Sequence, residues 1–115
     1  LFTFKLDAIF ISLPNKIAAE ATIVSLKKNI NVFCEKPPAK NYKDFIKIYN
    51  VYKTKKNLKI KYGFNHRYHD SIIIAKNAIQ KKKYGKLINI RGLYGKSKII
   101  NFKGQWRSSK SLAGG

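Results

Sequence analysis

A strand, a helix and a second strand are packed into residues 7–34, and that arrangement leaves few folds open. Asp7-Ala-Ile-Phe-Ile-Ser-Leu-Pro14 is a short, nearly continuous apolar run closed by proline. A run of this kind, without polar alternation, predicts a strand covered on both faces within a parallel sheet. Asn15 stands where it can cap the following helix, Lys16 to about Lys28. On that helix Ile17, Ala18, Ala21, Val24 and Leu26 form the predicted apolar face, while Glu20, Lys27 and Lys28 point to water. Asn29 ends the helix, and Ile30-Asn-Val-Phe-Cys34 makes the second strand. Two strands joined by so short a helical crossover must run parallel, and the crossover is expected to be right-handed.

The next segment repeats the alternation. After Glu35-Lys-Pro-Pro38, a helix is predicted from Tyr42 to Lys55, with Asn41 as N-cap and Asp44 three residues on. Its predicted stripe is Tyr42, Phe45, Ile46, Tyr49 and Tyr52. Leu58-Lys-Ile-Lys-Tyr-Gly-Phe64 then alternates apolar residues with Lys, as a half-exposed strand at or near a sheet edge does. Residues 7–64 therefore read β-α-β-α-β, an α/β layer on a parallel sheet.

Beyond that point the character changes. Ser71 to about Lys83 is predicted helical, with Ile72, Ala75, Ala78 and Ile79 on one side, Lys81-Lys-Lys83 in its last turn and Gly85 as its stop. Leu87–Tyr94 and Lys98–Phe102 read as strands joined around Gly95 and are expected to pair antiparallel.

Charge is the unusual number: 25 Lys and Arg against 5 Asp and Glu give +20, which points first to a polyanion partner. Yet Lys, Ile and Asn make up 22, 16 and 10 of the 115 residues, and only 3 of the cations are Arg. Those three residue types share A/T-rich codons, whereas bidentate phosphate recognition favours arginine. Base composition accounts for the charge without selection for nucleic acid. The chain has no Met, begins at Leu1 and stops at Ala-Gly-Gly, so it reads as an internal piece of something longer. No signal peptide is visible, apolar runs are only a few residues long, and Cys34 is the single cysteine. These features point to a cytoplasmic protein without disulfides or a membrane span.

Four places offer chemistry. Ser12-Leu-Pro-Asn15 lies where a parallel strand meets a helix N-terminus, the edge at which open α/β sheets bind ligands. It also reads as an ordinary strand-to-helix turn. In Cys34-Glu-Lys-Pro-Pro38, Glu35 can accept from a ribose hydroxyl and Lys36 can donate to a substrate oxygen. If burial lowered its pKa, Lys36 could also transfer a proton. Pro37 fixes the backbone there, with a cis peptide among its options; the plain alternative is a surface ion pair before a turn. Gly63-Phe-Asn-His-Arg67 offers the Asn65 amide and the Arg67 guanidinium at the same edge. Its continuation, with His66, His69 and Asp70, is a weak metal pattern without a helix to align both imidazoles. In Gln105-Trp-Arg107, Trp106 beside Arg107 can stack on a base or sugar and pair with a phosphate, or be a core indole beside a solvated guanidinium.

As an ordered set, Ile11-Ser-Leu-Pro-Asn15, Asn31-Val-Phe-Cys-Glu-Lys-Pro37, Gly63-Phe-Asn-His-Arg67, Tyr84-Gly-Lys-Leu-Ile88, Gln105-Trp-Arg107 and Ala113-Gly-Gly115 resemble the Gfo/Idh/MocA family, named for glucose–fructose oxidoreductase and inositol dehydrogenase. Glu-Lys-Pro after an apolar strand is the most specific element, and the later motifs look most like the family's sugar-acting branches. The resemblance implies an α/β fold, the later part of a Rossmann parallel sheet followed by the start of a C-terminal α/β domain with an antiparallel sheet. It places residues 1–66 in the NAD(P)-binding domain and 67–115 in the substrate and oligomer domain. It implies that Ser12, Leu13, Pro14 and Asn15 line the dinucleotide, and that Glu35 and Lys36 sit at its nicotinamide end, with Lys36 binding substrate and handling the proton. It further implies that Asn65 contacts the cofactor, that Arg67 lies near the substrate, and that Trp106 and Arg107 reach the cofactor. The implied activity is hydride transfer between NAD or NADP and a secondary alcohol or ketone of a sugar, cyclitol or sugar-nucleotide-like substrate, by a homo-oligomeric parent enzyme.

The departures are informative. No Gly-x-Gly-x-x-Gly occurs, nor the acidic or basic residue that separates NAD from NADP, so the resemblance implies first strands preceding Leu1. The family's catalytic aspartate and histidine would follow the terminal glycines, and Ala18 stands near a position where a histidine is frequent. The piece by itself is expected to be inactive. Two rivals stay open: a non-catalytic nucleotide- or sugar-binding Rossmann-like protein, and a basic nucleic-acid-binding module, which predicts clustered lysines interleaved with aromatics.

Overall fold

The computed structural model describes residues 3–95 and 104–114. Its elements run β1 (Ala8–Ile11), α1 (Asn15–Lys27), β2 (Asn31–Cys34), α2 (Tyr42–Tyr52), β3 (Ile60–Tyr62), a 3-10 turn (Asn65–Tyr68), α3 (Asp70–Gln80), a second 3-10 turn (Trp106–Ser108) and α4 (Lys110–Ala113). The three strands form one parallel sheet in the order β1-β2-β3, with Ile9, Val32 and Ile60 in one row and Ile11, Cys34 and Tyr62 in another. At the end of the sheet opposite the loops after β1 and β2, Asn31 ties the strands together. Its Nδ2 donates to the Asp7 carbonyl at 2.8 Å and its Oδ1 accepts from the Lys59 amide at 2.9 Å. The α/β class and the parallel Rossmann-like sheet match the reading of residues 7–64, and β3 is an edge strand as its alternation predicts.

The chain forms two compact units, Leu1–Gly63 with Phe102–Gly115, and Phe64–Asn101. In the first, the strand order steps the same way twice. Crossovers of one hand then leave both helices on one face, and α1 and α2 touch. The core lies between them and the sheet: Ile11, Ala18, Ala19, Leu26, Val32, Cys34, Ala39 and Ile48. The opposite face is exposed at Phe10 and Phe33. Phe10 is 80% exposed and stacks on Phe33 at 5.2 Å between ring centroids. The expectation of a strand covered on both faces is therefore corrected, since period-2 geometry sends Ile9 and Ile11 to one side and Phe10 to the other.

Two helical faces are also corrected. The buried residues of α1 are Ala18, Ala19, Thr22, Ser25 and Leu26, whereas Ile17 and Val24 are exposed. Small side chains let α1 approach the sheet and α2 closely, so shape outweighs hydropathy in choosing the face. On α2 the fully buried residue is Ile48, which the predicted stripe omits; Phe45 and Tyr52 are half-buried, and Tyr42 and Tyr49 are exposed. That helix ends at Tyr52 rather than Lys55. Its N-cap is as expected, with Asn41 Oδ1 accepting from the Asp44 amide at 2.9 Å. Asn15 is not the cap of α1. Pro14 holds that position, and Asn15 is the first helical residue.

In the second unit α3 ends at Gln80, so Lys81-Lys-Lys83 lies in the turn beyond its last residue. None of its residues is buried. Leu87–Tyr94 carries no strand among the described residues, and its expected partner, Lys98–Phe102, lies outside them. No helix among the described residues is long and apolar enough to cross a membrane.

Candidate functional site

Parallel pairing places the ends of β1 and β2 side by side, and the chain leaves both strands at the same level. The Glu35 amide donates to the Ile11 carbonyl at 2.9 Å, one residue beyond the paired segment. Gly63 continues the same edge, its amide donating to the Cys34 carbonyl at 2.9 Å. Two turns emerge there. Ser12-Leu-Pro leads into α1, whose first N–H groups have no partner within the helix and point out of its N-terminus. Glu35-Lys-Pro37 follows β2 and carries a cis peptide between Lys36 and Pro37.

A cavity of about 540 Å³ opens over this edge. The first turn contributes Ser12, Leu13, Pro14 and Asn15, the second Glu35, Lys36 and Pro37, and the segment returning at 104–114 contributes Trp106, Arg107 and Ala113. Eight of these are residues singled out by the sequence. Pro37 was considered only for its backbone, and Ala113 only as part of a quoted motif. Asn65 and Arg67 belong to the second unit, on the 3-10 turn Asn65–Tyr68, and are described with it.

The local geometry is specific. Glu35 folds its carboxylate back so that Oε2 accepts from the Lys36 amide at 3.2 Å. The same carboxylate lies over Gly63, where an added Cβ would stand 3.1 Å from Oε1. Gly63 is thus the residue that lets this acid lie close to the sheet edge, a role visible in sequence only as the first letter of its motif. Lys36 is exposed, so the buried lysine considered from the sequence is not what the fold builds. The Arg107 guanidinium stacks on its own neighbour, 4.5 Å from the Trp106 ring, which keeps the planar pair together at the cavity wall. Asn15 Nδ2 donates to the Ala113 carbonyl at 2.7 Å.

Beneath the edge lies a small polar group. Burial pushes the Cys34 thiol pKa up; the Thr22 hydroxyl opposes this in part, and the Glu35 charge adds to it. Burial likewise raises Tyr62, with Cys34 acting in the same direction. By hydrogen-bond geometry the Thr22 and Tyr62 hydroxyls are buried without partners among the described residues. Burial thus disfavours ionisation of the thiol and the phenol, and none of these three side chains lines the cavity. In the second unit His66 and His69 stack on each other with ring centroids 4.8 Å apart. No group of three metal-ligating side chains occurs among the described residues.

The rim sets Lys36, Arg107 and a helix N-terminus against a single carboxylate, Glu35. That donor set suits a ligand that is anionic at one point and hydroxylated at another, since cations and free N–H groups hold phosphate and the carboxylate accepts from hydroxyls. The comparisons agree. Residues 3–64 match the model of the oxidoreductase family with an NAD-binding Rossmann fold, Gfo/Idh/MocA. The chain is 31% identical over 106 residues to levoglucosan dehydrogenase of Pseudarthrobacter phenanthrenivorans, covering 90% of this chain and 27% of that protein. Among solved structures, myo-inositol 2-dehydrogenase of Lactobacillus plantarum superposes with a TM-score of 0.70 at 36% identity, over 76% of this chain and 26% of that one. Scyllo-inositol dehydrogenase of Lactobacillus casei, solved with NAD(H) and scyllo-inositol, gives 0.65 at 30% identity over 69% and 23%. The chain thus spans about a quarter of the length of these relatives. With the family model covering more than half of its residues, the chain belongs to the Gfo/Idh/MocA oxidoreductase family and carries part of its NAD-binding Rossmann fold.

Proposed function

We propose that the chain is part of an NAD(P)-dependent oxidoreductase acting on a secondary alcohol or ketone of a sugar, cyclitol or sugar-nucleotide-like substrate. The observation that carries this reading is the single cavity at the carboxyl edge of β1 and β2, where Ser12–Asn15, Glu35–Lys36 and Trp106–Arg107 meet. The lining fits the nicotinamide half of a dinucleotide. Ser12, Leu13, Pro14 and Asn15 form its floor beside the N-terminus of α1. Glu35 accepts from ribose hydroxyls, and Arg107 with Trp106 supplies a charge and a stacking plane.

When bound, the nicotinamide supplies the hydride acceptor for a carbinol carbon, and the donor in the reverse direction. Lys36 binds the substrate oxygen and handles the proton that leaves the hydroxyl. Asn65 and Arg67 act on cofactor and substrate. Residues 1–66 then form the later part of the nucleotide domain, and residues 67–115 begin the substrate and oligomer domain with its antiparallel sheet. The whole enzyme is a cytoplasmic homo-oligomer in this reading, and NAD and NADP are both candidates.

The test is an absorbance assay of the longer protein with inositols and anhydrosugars. Substrate-dependent formation of NAD(P)H is expected, with Lys36→Ala lowering kcat by about 10²–10⁴-fold, the range for a lost acid–base group. Saturable cofactor binding with no substrate-dependent absorbance change overturns the enzyme reading in favour of a non-catalytic binding protein. Tight nucleic-acid binding with a steep salt slope would instead favour the basic-module reading.

A further inference from the structure

We infer that Asn15 is a positioning residue, a clamp that holds residues 104–114 in place and so sets Trp106 and Arg107 in the cavity wall. The segment returns to α1 across 98 residues of sequence, and the Asn15 amide donates to the Ala113 carbonyl at 2.7 Å in a partly buried site. The next residue locks the same approach from the other side. Gly114 has φ +99, a left-handed conformation that disfavours any side chain, and a Cβ there would overlap the Lys40 carbonyl oxygen and stand 2.8 Å from its carbon. Lys40 follows the Glu35-Lys-Pro-Pro38 turn through the buried Ala39. The segment is therefore gripped between the two turns that form the cavity, by one side-chain amide and by one close backbone contact.

The chemistry of the clamp is directional. Ala113 offers only a carbonyl oxygen, so its partner must donate, and among the Asn15 side-chain atoms Nδ2 alone can. Asn15 and Ala113 both line the cavity, so this one bond joins two sides of its lining. Trp106 follows two residues after Gly104, and the short 3-10 turn at Trp106–Ser108, closed by the Ser108 hydroxyl on the Gln105 carbonyl at 2.8 Å, passes the position of α4 on to the indole and guanidinium. This concerns the geometry of the chain itself; its consequence for cofactor rests on the function proposed above.

Trp106 is the only tryptophan, so its fluorescence reports the segment directly. Asn15→Asp keeps the shape but removes the donor and sets a carboxylate against a carbonyl oxygen. At the first position of α1 an acid favours the helix, so the fold is not endangered. In the absence of cofactor, Asn15→Asp and Gly114→Ala are each expected to raise quenching of Trp106 by acrylamide and to red-shift its emission, with far-UV circular dichroism unchanged. If both variants keep the parent's quenching, the clamp is overturned. NADH is then titrated into the longer protein and into its Asn15→Ala variant, with the change in dihydronicotinamide fluorescence on binding as readout. The variant is expected to bind roughly two- to twelvefold more weakly, the loss of one hydrogen bond. A longer protein with no saturable NADH signal, beside variants of this chain that still expose Trp106, sinks the cofactor reading and leaves the clamp standing.

Discussion

Helices α1 and α3 have similar lengths, 13 and 11 residues, and both are rich in Ala and Ile, yet α1 buries five residues and α3 none. The difference is not in the pattern of either helix. The buried residues of α1 include Ala18, Ala19 and Ser25, side chains small enough for close contact with β2 and α2. The larger Ile72, Ile73, Ile74 and Ile79 of α3 are all exposed, within a unit that offers them no strand among the described residues. Periodicity announces a helix with an apolar side; burial needs a neighbour of matching shape.

The largest expected effect breaks or confirms that contrast. Leu26 is fully buried and Ile48 is 1% exposed. Truncating either to Ala should cost about 2–5 kcal/mol in urea unfolding, through lost transfer free energy and a residual cavity. Ile74→Ala in α3, at a position 67% exposed, should fall within about 0.5 kcal/mol. A loss above about 2 kcal/mol at Ile74 would show that α3 has a packing partner and end the contrast.

The same comparison explains what the sequence made legible. The βαβ order, the parallel sheet, the Asn41 cap and most of the cavity lining follow from local signals: an apolar run, a breaker, a capping side chain, a motif at a strand end. The buried faces did not. Ile17 and Val24 are more hydrophobic than Thr22 and Ser25, yet they face water, because contact distance between backbones selects small residues and no single-chain pattern encodes it. Likewise Ile48 lies off the aromatic stripe of α2. The exposed face at Phe10 and Phe33 reads in sequence like the covered one, since both carry apolar residues and nothing local marks which of them is packed. The contact of Asn15 with Ala113 spans nearly the whole chain and leaves no local trace.

Helix starts give the next, smaller contrast. Asn41→Ala removes the acceptor for the Asp44 amide and should cost about 1 kcal/mol. The corresponding residue of α3, His69, makes no side-chain capping bond, so His69→Ala should leave the start of that helix no less stable. Equal losses at the two positions would mean that the Asn41 bond contributes nothing specific.

Acid provides a third. A hydrogen bond from Lys47, 2.8 Å away, holds the Asp44 carboxyl below its usual range, against a small opposing desolvation. A carboxyl with a lowered folded pKa favours the folded state at neutral pH, and that contribution disappears as pH falls through the folded value. Stability should therefore show an acid-limb slope below about pH 4 that Lys47→Met flattens. The pair is exposed, so the change is small, and an unaltered slope in Lys47→Met would assign the limb to other carboxyls.

The smallest effect concerns the buried hydroxyl at the end of β3. Tyr62 OH is buried with no hydrogen-bond partner among the described residues, whereas Tyr84 and Tyr94 of the second unit are 81% and 78% exposed. A buried hydroxyl without a partner keeps its desolvation cost, so Tyr62→Phe should be neutral or stabilising by a few tenths of a kcal/mol at pH 7, opposite in sign to most core substitutions. Burial raises the Tyr62 pKa in the folded state. The unfolded chain then releases this proton first as pH rises, so stability that is intact below the ordinary tyrosine value of about 10 declines above it. Tyr62→Phe should remove that alkaline decline, and Tyr84→Phe should not. A clear destabilisation by Tyr62→Phe at pH 7 would mean that the hydroxyl is satisfied in solution, with a water bridging it to Thr22 or Cys34 as the first candidate, and that the core at this end of the sheet is wet.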